Sequence, residues 1–102
     1  MKSQRDIKDI KISSEAYKYA YDIGRPVPEL ENIITEDIYY SYYYAKDIIK
    51  GRFKKGEDAI AQSPIYSYYY AVNIIKGRFE KGEDIIMNSD FASDYVEEFG
   101  IK

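Results

Sequence analysis

The sequence predicts an all-α protein: a short solenoid of stacked long and short helix pairs, about three repeats with a truncated end unit. Three observations carry that expectation. Residues 40–60 match residues 66–86 at 17 of 21 positions, 26 residues apart, and self-similarity at such a period marks stacked supersecondary units. Apolar residues in both copies recur at helical spacing, and no alternating strand pattern competes. Gly-Arg at 24–25, 51–52 and 77–78 punctuates the chain at short intervals, leaving only the brief connections that stacked helices require.

Taken in order, residues 1–13 read as a short N-terminal helix or cap, with Ile7 and Ile10 at helical spacing and Ser3 with Asp6 as a capping pair. Residues 14–38 form a degenerate first repeat. Ser13 or Ser14 caps its long helix, Gly24 ends it about two residues early, and Pro28 opens a short helix to Ile34. Residues 39–64 are the first full repeat. Thr35 or Asp37 caps its long helix, which runs to Lys50, where Gly51 supplies the left-handed residue that stops it. A short helix over residues 53–62 follows despite Gly56, which costs about 1 kcal/mol relative to alanine. Residues 65–90 repeat the pattern behind Ser63-Pro64, a serine cap with proline in the first turn, and their short helix spans residues 80–87. Residues 91–102 are a truncated unit, capped by Ser89 and closed by Gly100.

Composition narrows the chemistry. A chain of 102 residues is one small domain. With no cysteine it has no disulfide, thiolate metal site or cysteine nucleophile, and with no histidine it lacks the commonest metal ligand and general base. Neither a signal peptide nor a membrane span is visible, so a soluble, cytoplasmic protein that does not engage membranes is expected. Tyrosine is the outlier, thirteen residues beside four phenylalanines and no tryptophan.

The differences between the copies sort the faces. Tyr39/Ile65, Lys46/Val72 and Asp47/Asn73 all fall on one arc of the long helix, whereas the arc carrying Ser67, Tyr68, Tyr70, Ala71, Ile74 and Ile75 is identical in both. A packed interior punishes volume changes and a solvated face does not, so the invariant arc is the core. Ser41, Ser67, Ala45 and Ala71 are the small positions where helices approach closely. Tyr42, Tyr44, Tyr68 and Tyr70 point inward, each hydroxyl reaching the periphery or a polar partner.

The run Tyr-x-Tyr-Ala-x-x-Ile-Ile-Lys-Gly-Arg-Phe, followed by Glu, resembles a tandem helical repeat of uncharacterised proteins from tailed bacteriophages and large DNA viruses, over roughly residues 14–99. The resemblance implies the repeat fold and no shared activity. It also implies a small phage-encoded protein that binds and inhibits a host factor, such as a defence component, in the host cytoplasm.

Four groups compete as sites. Arg52 and Arg78 precede Glu57 and Glu83 by five residues. They read as arginines that pair with a carboxylate of the same or next repeat or bond helix-end carbonyls, in preference to phosphate binders. Glu57-Asp58 and Glu83-Asp84 open short helices, where negative charge suits the helix dipole; nothing sets their pKa values apart as two-carboxylate catalysis needs. The Gly-x-x-x-x-Gly spacing lacks the Lys-Ser/Thr and preceding strand of a P-loop and reads as a turn irregularity. The remaining group is the outward arc, where Tyr39, Tyr43, Tyr66 and Tyr69 sit beside Lys46, Lys50 and Lys76. Its two readings are a binding surface, tyrosine being enriched at interface hot spots, and a row covered by the N-terminal segment or the short helices.

The function expected is therefore non-enzymatic: a protein-interaction module without cofactor or metal, presenting the Tyr/Lys face to a protein partner, with self-association a further expectation. The alternatives are a single-stranded nucleic-acid binder that stacks bases on the same tyrosines and an acidic nucleic-acid mimic. Against the first, residues 21–102 carry 10 Lys/Arg and 15 Asp/Glu, a net of −5, where phosphate neutralisation calls for clustered positive charge. Interspersed lysines argue against the second.

Overall fold

Small side chains set where the helices cross. The computed structural model describes residues 6–101, all of them helix, turn or irregular chain, with no strand among them. A 3₁₀ turn over Ile7–Asp9 comes first. The long helices are α1 (Ser13–Ile23), α3 (Ile38–Tyr43) and α5 (Pro64–Tyr69), the last two prolonged without a break to Ile49 and Ile75, and the chain closes on α7 (Ala92–Phe99). The short ones are α2 (Glu31–Ile34), α4 (Glu57–Ile60) and α6 (Glu80–Met87), the first two led by 3₁₀ turns at Pro28–Leu30 and Lys54–Gly56. α1, α3 and α5 each pack on the short helix that follows and α7 packs on α6 before it, while α1 neighbours α3, α3 neighbours α5, and α4 neighbours α6. The result is a two-layered rod of 58 × 19 × 18 Å.

Ser41 and Ser67 are fully buried and donate from Oγ to the carbonyls of Ile34 (3.2 Å) and Ile60 (3.0 Å), tying each long helix to the short helix before it. On the other side, a Cβ placed on Gly56 would lie 3.2 Å from Ser41 Cβ, and one on Gly82 would lie 2.7 Å from Ser67 Cβ. Gly56 and Gly82 are thus close-approach positions, and the turn irregularity expected there is a helix crossing. The invariant arc faces the core as expected, though Ile49, Ile74 and Ile75 at its C-terminal end are only half-buried. Tyr44, Ala45, Tyr70 and Ala71 are wholly buried, while Tyr68 is only half-buried, stacked 5.4 Å from Phe91.

The caps divide. Asp37 accepts from the Tyr40 amide (2.9 Å) and Ser63 from the Tyr66 amide (3.2 Å) with Pro64 behind it, as read from sequence. Thr35 instead donates its hydroxyl to the Asn32 carbonyl, and α1 starts behind Ile12 with no side-chain cap. The expected N-terminal helix is a single turn capped by Asp6; Ser3 lies outside the described residues.

One element departs from expectation. The last turns of the two long repeat helices, Tyr44–Ile49 and Tyr70–Ile75, are π-helical, and the left-handed residues that end them are Lys50 (φ 60°) and Lys76 (φ 59°), not Gly51 or Gly77. The cause is length. In α1 the Ala20 carbonyl receives the amide of Gly24, four residues on; in the full repeat the equivalent Ala45 carbonyl receives the amides of Lys50 (2.7 Å) and Gly51 (3.2 Å). The two extra residues before Gly-Arg are absorbed by widening one turn and by placing a lysine where α1 has its glycine.

Candidate functional site

The acids and arginines of the repeat build an internal clamp. Arg52 forks onto Glu57, Nε to Oε2 at 2.8 Å and Nη2 to Oε1 at 3.0 Å. Tyr70, from the next unit, donates its hydroxyl to the same Oε2 (2.7 Å) and accepts the Phe53 amide (2.8 Å). Arg78, Glu83, Tyr95 and the Phe79 amide repeat the arrangement. In the first unit Tyr44 bonds Glu31 (2.7 Å) and the Val27 amide (2.9 Å), but Arg25 turns to the Pro26 carbonyl and Lys55 approaches Glu31 instead. Burial pushes against the Glu57 charge, yet the bonds from Arg52 and Tyr70 outweigh it and hold its carboxyl below the usual range. Arg78 does the same for Glu83. Burial, then the Glu83 bond, pushes Tyr95 up to about 12. Both arginines therefore pair with carboxylates of their own repeat, one of the two structural roles expected of them. Asp58 pairs with Lys81 of the following unit, and no cluster among the described residues fits a metal ion.

A second inter-unit bond lies on the outward side. Tyr17 donates to Asp47 Oδ2 (2.8 Å), and at the equivalent position one unit on Asn73 Nδ2 donates to Tyr42 (3.0 Å). Around these bonds the outward tyrosines form an unbroken row. Ring centroids step from Tyr21 to Tyr17 (5.9 Å), Tyr40 (5.4 Å), Tyr39 (5.0 Å) and Tyr43 (4.6 Å). The row continues through Tyr66 (6.4 Å), Tyr69 (6.0 Å) and Tyr68 (6.1 Å) to Phe91.

Of the residues expected in the site, Tyr39, Tyr43, Tyr66 and Tyr69 are brought together within this row. Tyr39 is 48 % exposed, while the other three are half-buried against one another. Lys46, Lys50 and Lys76 gather apart, lining a shallow concavity at the C-terminal ends of the repeat helices with Asn73 and Gly51. Lys46 alone bridges the groups, with Nζ 6.0 Å from the Tyr43 ring centroid.

Sequence reasoning missed the first unit's contribution. Tyr17 and Tyr21, four apart on α1, and Tyr40 on α3 extend the row and, with Tyr39 and Tyr43, wall a groove of about 690 Å³ between those helices. The i,i+4 spacing of Tyr17 and Tyr21 was the available signal. The degenerate repeat hid it because Tyr21 has no tyrosine counterpart in the other copies. Among the described residues no helix is long and apolar enough to cross a membrane. No protein-family model, curated protein or solved structure matches the chain.

Proposed function

We propose that the chain is a non-enzymatic protein-interaction module whose recognition surface is the outward tyrosine row. The observation that carries this reading is the row's continuity: nine rings in succession along one side of the rod, with Tyr21 and Tyr39 exposed at 58 % and 48 %. Contiguous aromatic surface is costly to leave in water, and rigid tyrosines lose little entropy when a partner covers them. The acids argue against catalysis, since Glu57 and Glu83 are committed to clamps within the rod. With the resemblance to phage repeat proteins, the reading extends to a host factor as the partner and inhibition as the outcome.

The test is affinity capture with the tagged protein and with a Tyr21→Ala/Tyr39→Ala variant. Both residues are exposed, so the variant is expected to melt near the wild type, while a stoichiometric partner is lost. Equal capture by both proteins rejects the row as the binding surface. Single-stranded nucleic acid on the same tyrosines would reveal itself by binding that falls steeply with salt.

A further inference from the structure

The tyrosine row has an electronic property that recognition does not use. From Tyr21 through Tyr39 and Tyr43 to Tyr68, each ring centroid lies within 6.4 Å of the next. The chain has neither tryptophan nor cysteine, so a one-electron hole finds no indole or thiolate to settle on and passes among touching phenols. A phenol that loses an electron becomes a strong acid, and the hole rests where a base stands ready for the proton. Among the described residues Tyr17 is the one ring of the row that donates to a carboxylate, Asp47 Oδ2 at 2.8 Å. Lys46 meets the other oxygen of Asp47 at 3.5 Å and leaves Oδ2 to Tyr17.

Other rings are worse placed. Tyr42 accepts a bond from Asn73 rather than donating to an acid, and Lys46 sets a positive charge over Tyr43. Tyr44, Tyr70 and Tyr95 donate to glutamates, but each phenol oxygen also receives a backbone amide, which opposes loss of an electron. Glu57 and Glu83, the acceptors of Tyr70 and Tyr95, already have lowered pKa values and are weak bases.

We propose that the row is a site of one-electron oxidation, in which an oxidising radical takes an electron at exposed Tyr21 or Tyr39 and the hole comes to rest on Tyr17. The electron passes to the oxidant, the Tyr17 O–H bond breaks, and its proton goes to Asp47 Oδ2. A neutral phenoxyl radical is left beside a neutral carboxylic acid. The groove between α1 and α3 is lined by Tyr17 and leaves this radical open to a small second radical. Nitrogen dioxide then forms a C–N bond at the ring carbon beside the phenol oxygen. The hydrogen on that carbon leaves as a proton, and 3-nitrotyrosine results. None of this requires the protein partner.

The test treats the whole protein with peroxynitrite in bicarbonate, which supplies the carbonate radical as oxidant together with nitrogen dioxide, and maps the nitrated residues. Tyr17 is half-buried and Tyr21 is 58 % exposed, so ring access and the proton acceptor predict opposite orders. Tyr17 is expected to be nitrated ahead of Tyr21 and Tyr39. Asp47→Asn removes the acceptor while installing the residue that the second repeat carries as Asn73, and nitration should pass to Tyr21 and Tyr39. Yields that follow exposure in the wild type, or Tyr17 still first in Asp47→Asn, overturn the proposal. Electron paramagnetic resonance of protein frozen during oxidation supplies a reading that needs neither that variant nor ring access. The wild-type tyrosyl spectrum should disappear in Tyr17→Phe and persist in Tyr44→Phe; a spectrum indifferent to Tyr17→Phe overturns the assignment.

Discussion

Tyr44, Tyr70 and Tyr95 each use one hydroxyl twice, donating to a glutamate of the preceding unit and accepting a backbone amide beside it. Replacing Tyr70 by phenylalanine keeps the ring, strands the Phe53 amide and takes one of three hydrogen bonds from a Glu57 side chain only 4 % exposed. The expected loss is about 1–3 kcal/mol, read as a shift in denaturant midpoint. Tyr95→Phe should cost less, because Glu83 is 19 % exposed and water can replace the bond. The same groups set the pH dependence. Glu57 and Glu83 have lowered folded pKa values, so their contribution is complete above the ordinary carboxylate value of about 4.3 and is lost as pH falls through the folded values. Tyr44 and Tyr70 are raised and Tyr95 reaches about 12. Their contribution is complete below about pH 10 and is lost as pH rises through the folded values. Melting temperature should thus hold across neutral pH and fall at both ends. Tyrosinate absorbance should appear together with unfolding on the alkaline side; early ionisation of these phenols in a folded protein contradicts the assignment.

The helices show which parts of the fold are local. Asp37 and Ser63-Pro64 were legible because a cap and its amide lie within three residues, and the core arc because two copies could be compared. The π turns were not. A single turn carries no composition that separates π from α, and the widening arises from fitting two surplus residues between fixed neighbours. Gly56 was misjudged for a similar reason, since what a Cβ there would meet is set by tertiary packing: the buried Phe53 ring at 2.6 Å and, on another helix fifteen residues earlier, Ser41 at 3.2 Å. The row's first-unit end was illegible because the first unit departs from the repeat that guided the reading. Two substitutions test the element scale together. Gly82→Ala drives a methyl into Ser67 and should cost about 1–3 kcal/mol. Lys76→Gly relieves a left-handed lysine and should gain about 0.5–1 kcal/mol. Thermal melts of the pair should move in opposite directions, and movement in the same direction rejects this account of the turn.

In the whole molecule, contacts run chiefly between neighbours along a rod 58 Å long, so stability is transmitted unit by unit. Removing the Tyr95 hydroxyl should raise amide exchange in α7 and α6 first and leave α1 and α2 near their wild-type rates. Uniform acceleration across the chain would mean that the rod unfolds as one block. The clamp has one more consequence. Glu31 meets Tyr44 and Glu57 meets Tyr70 at the same separation of 13 residues, and neither bond depends on which copy supplies it. If a 26-residue stretch were duplicated or lost, Tyr70 would find a glutamate at the right distance either way. An aromatic face built this way can be lengthened or shortened by whole 26-residue units, and no junction has to be invented for the new neighbour.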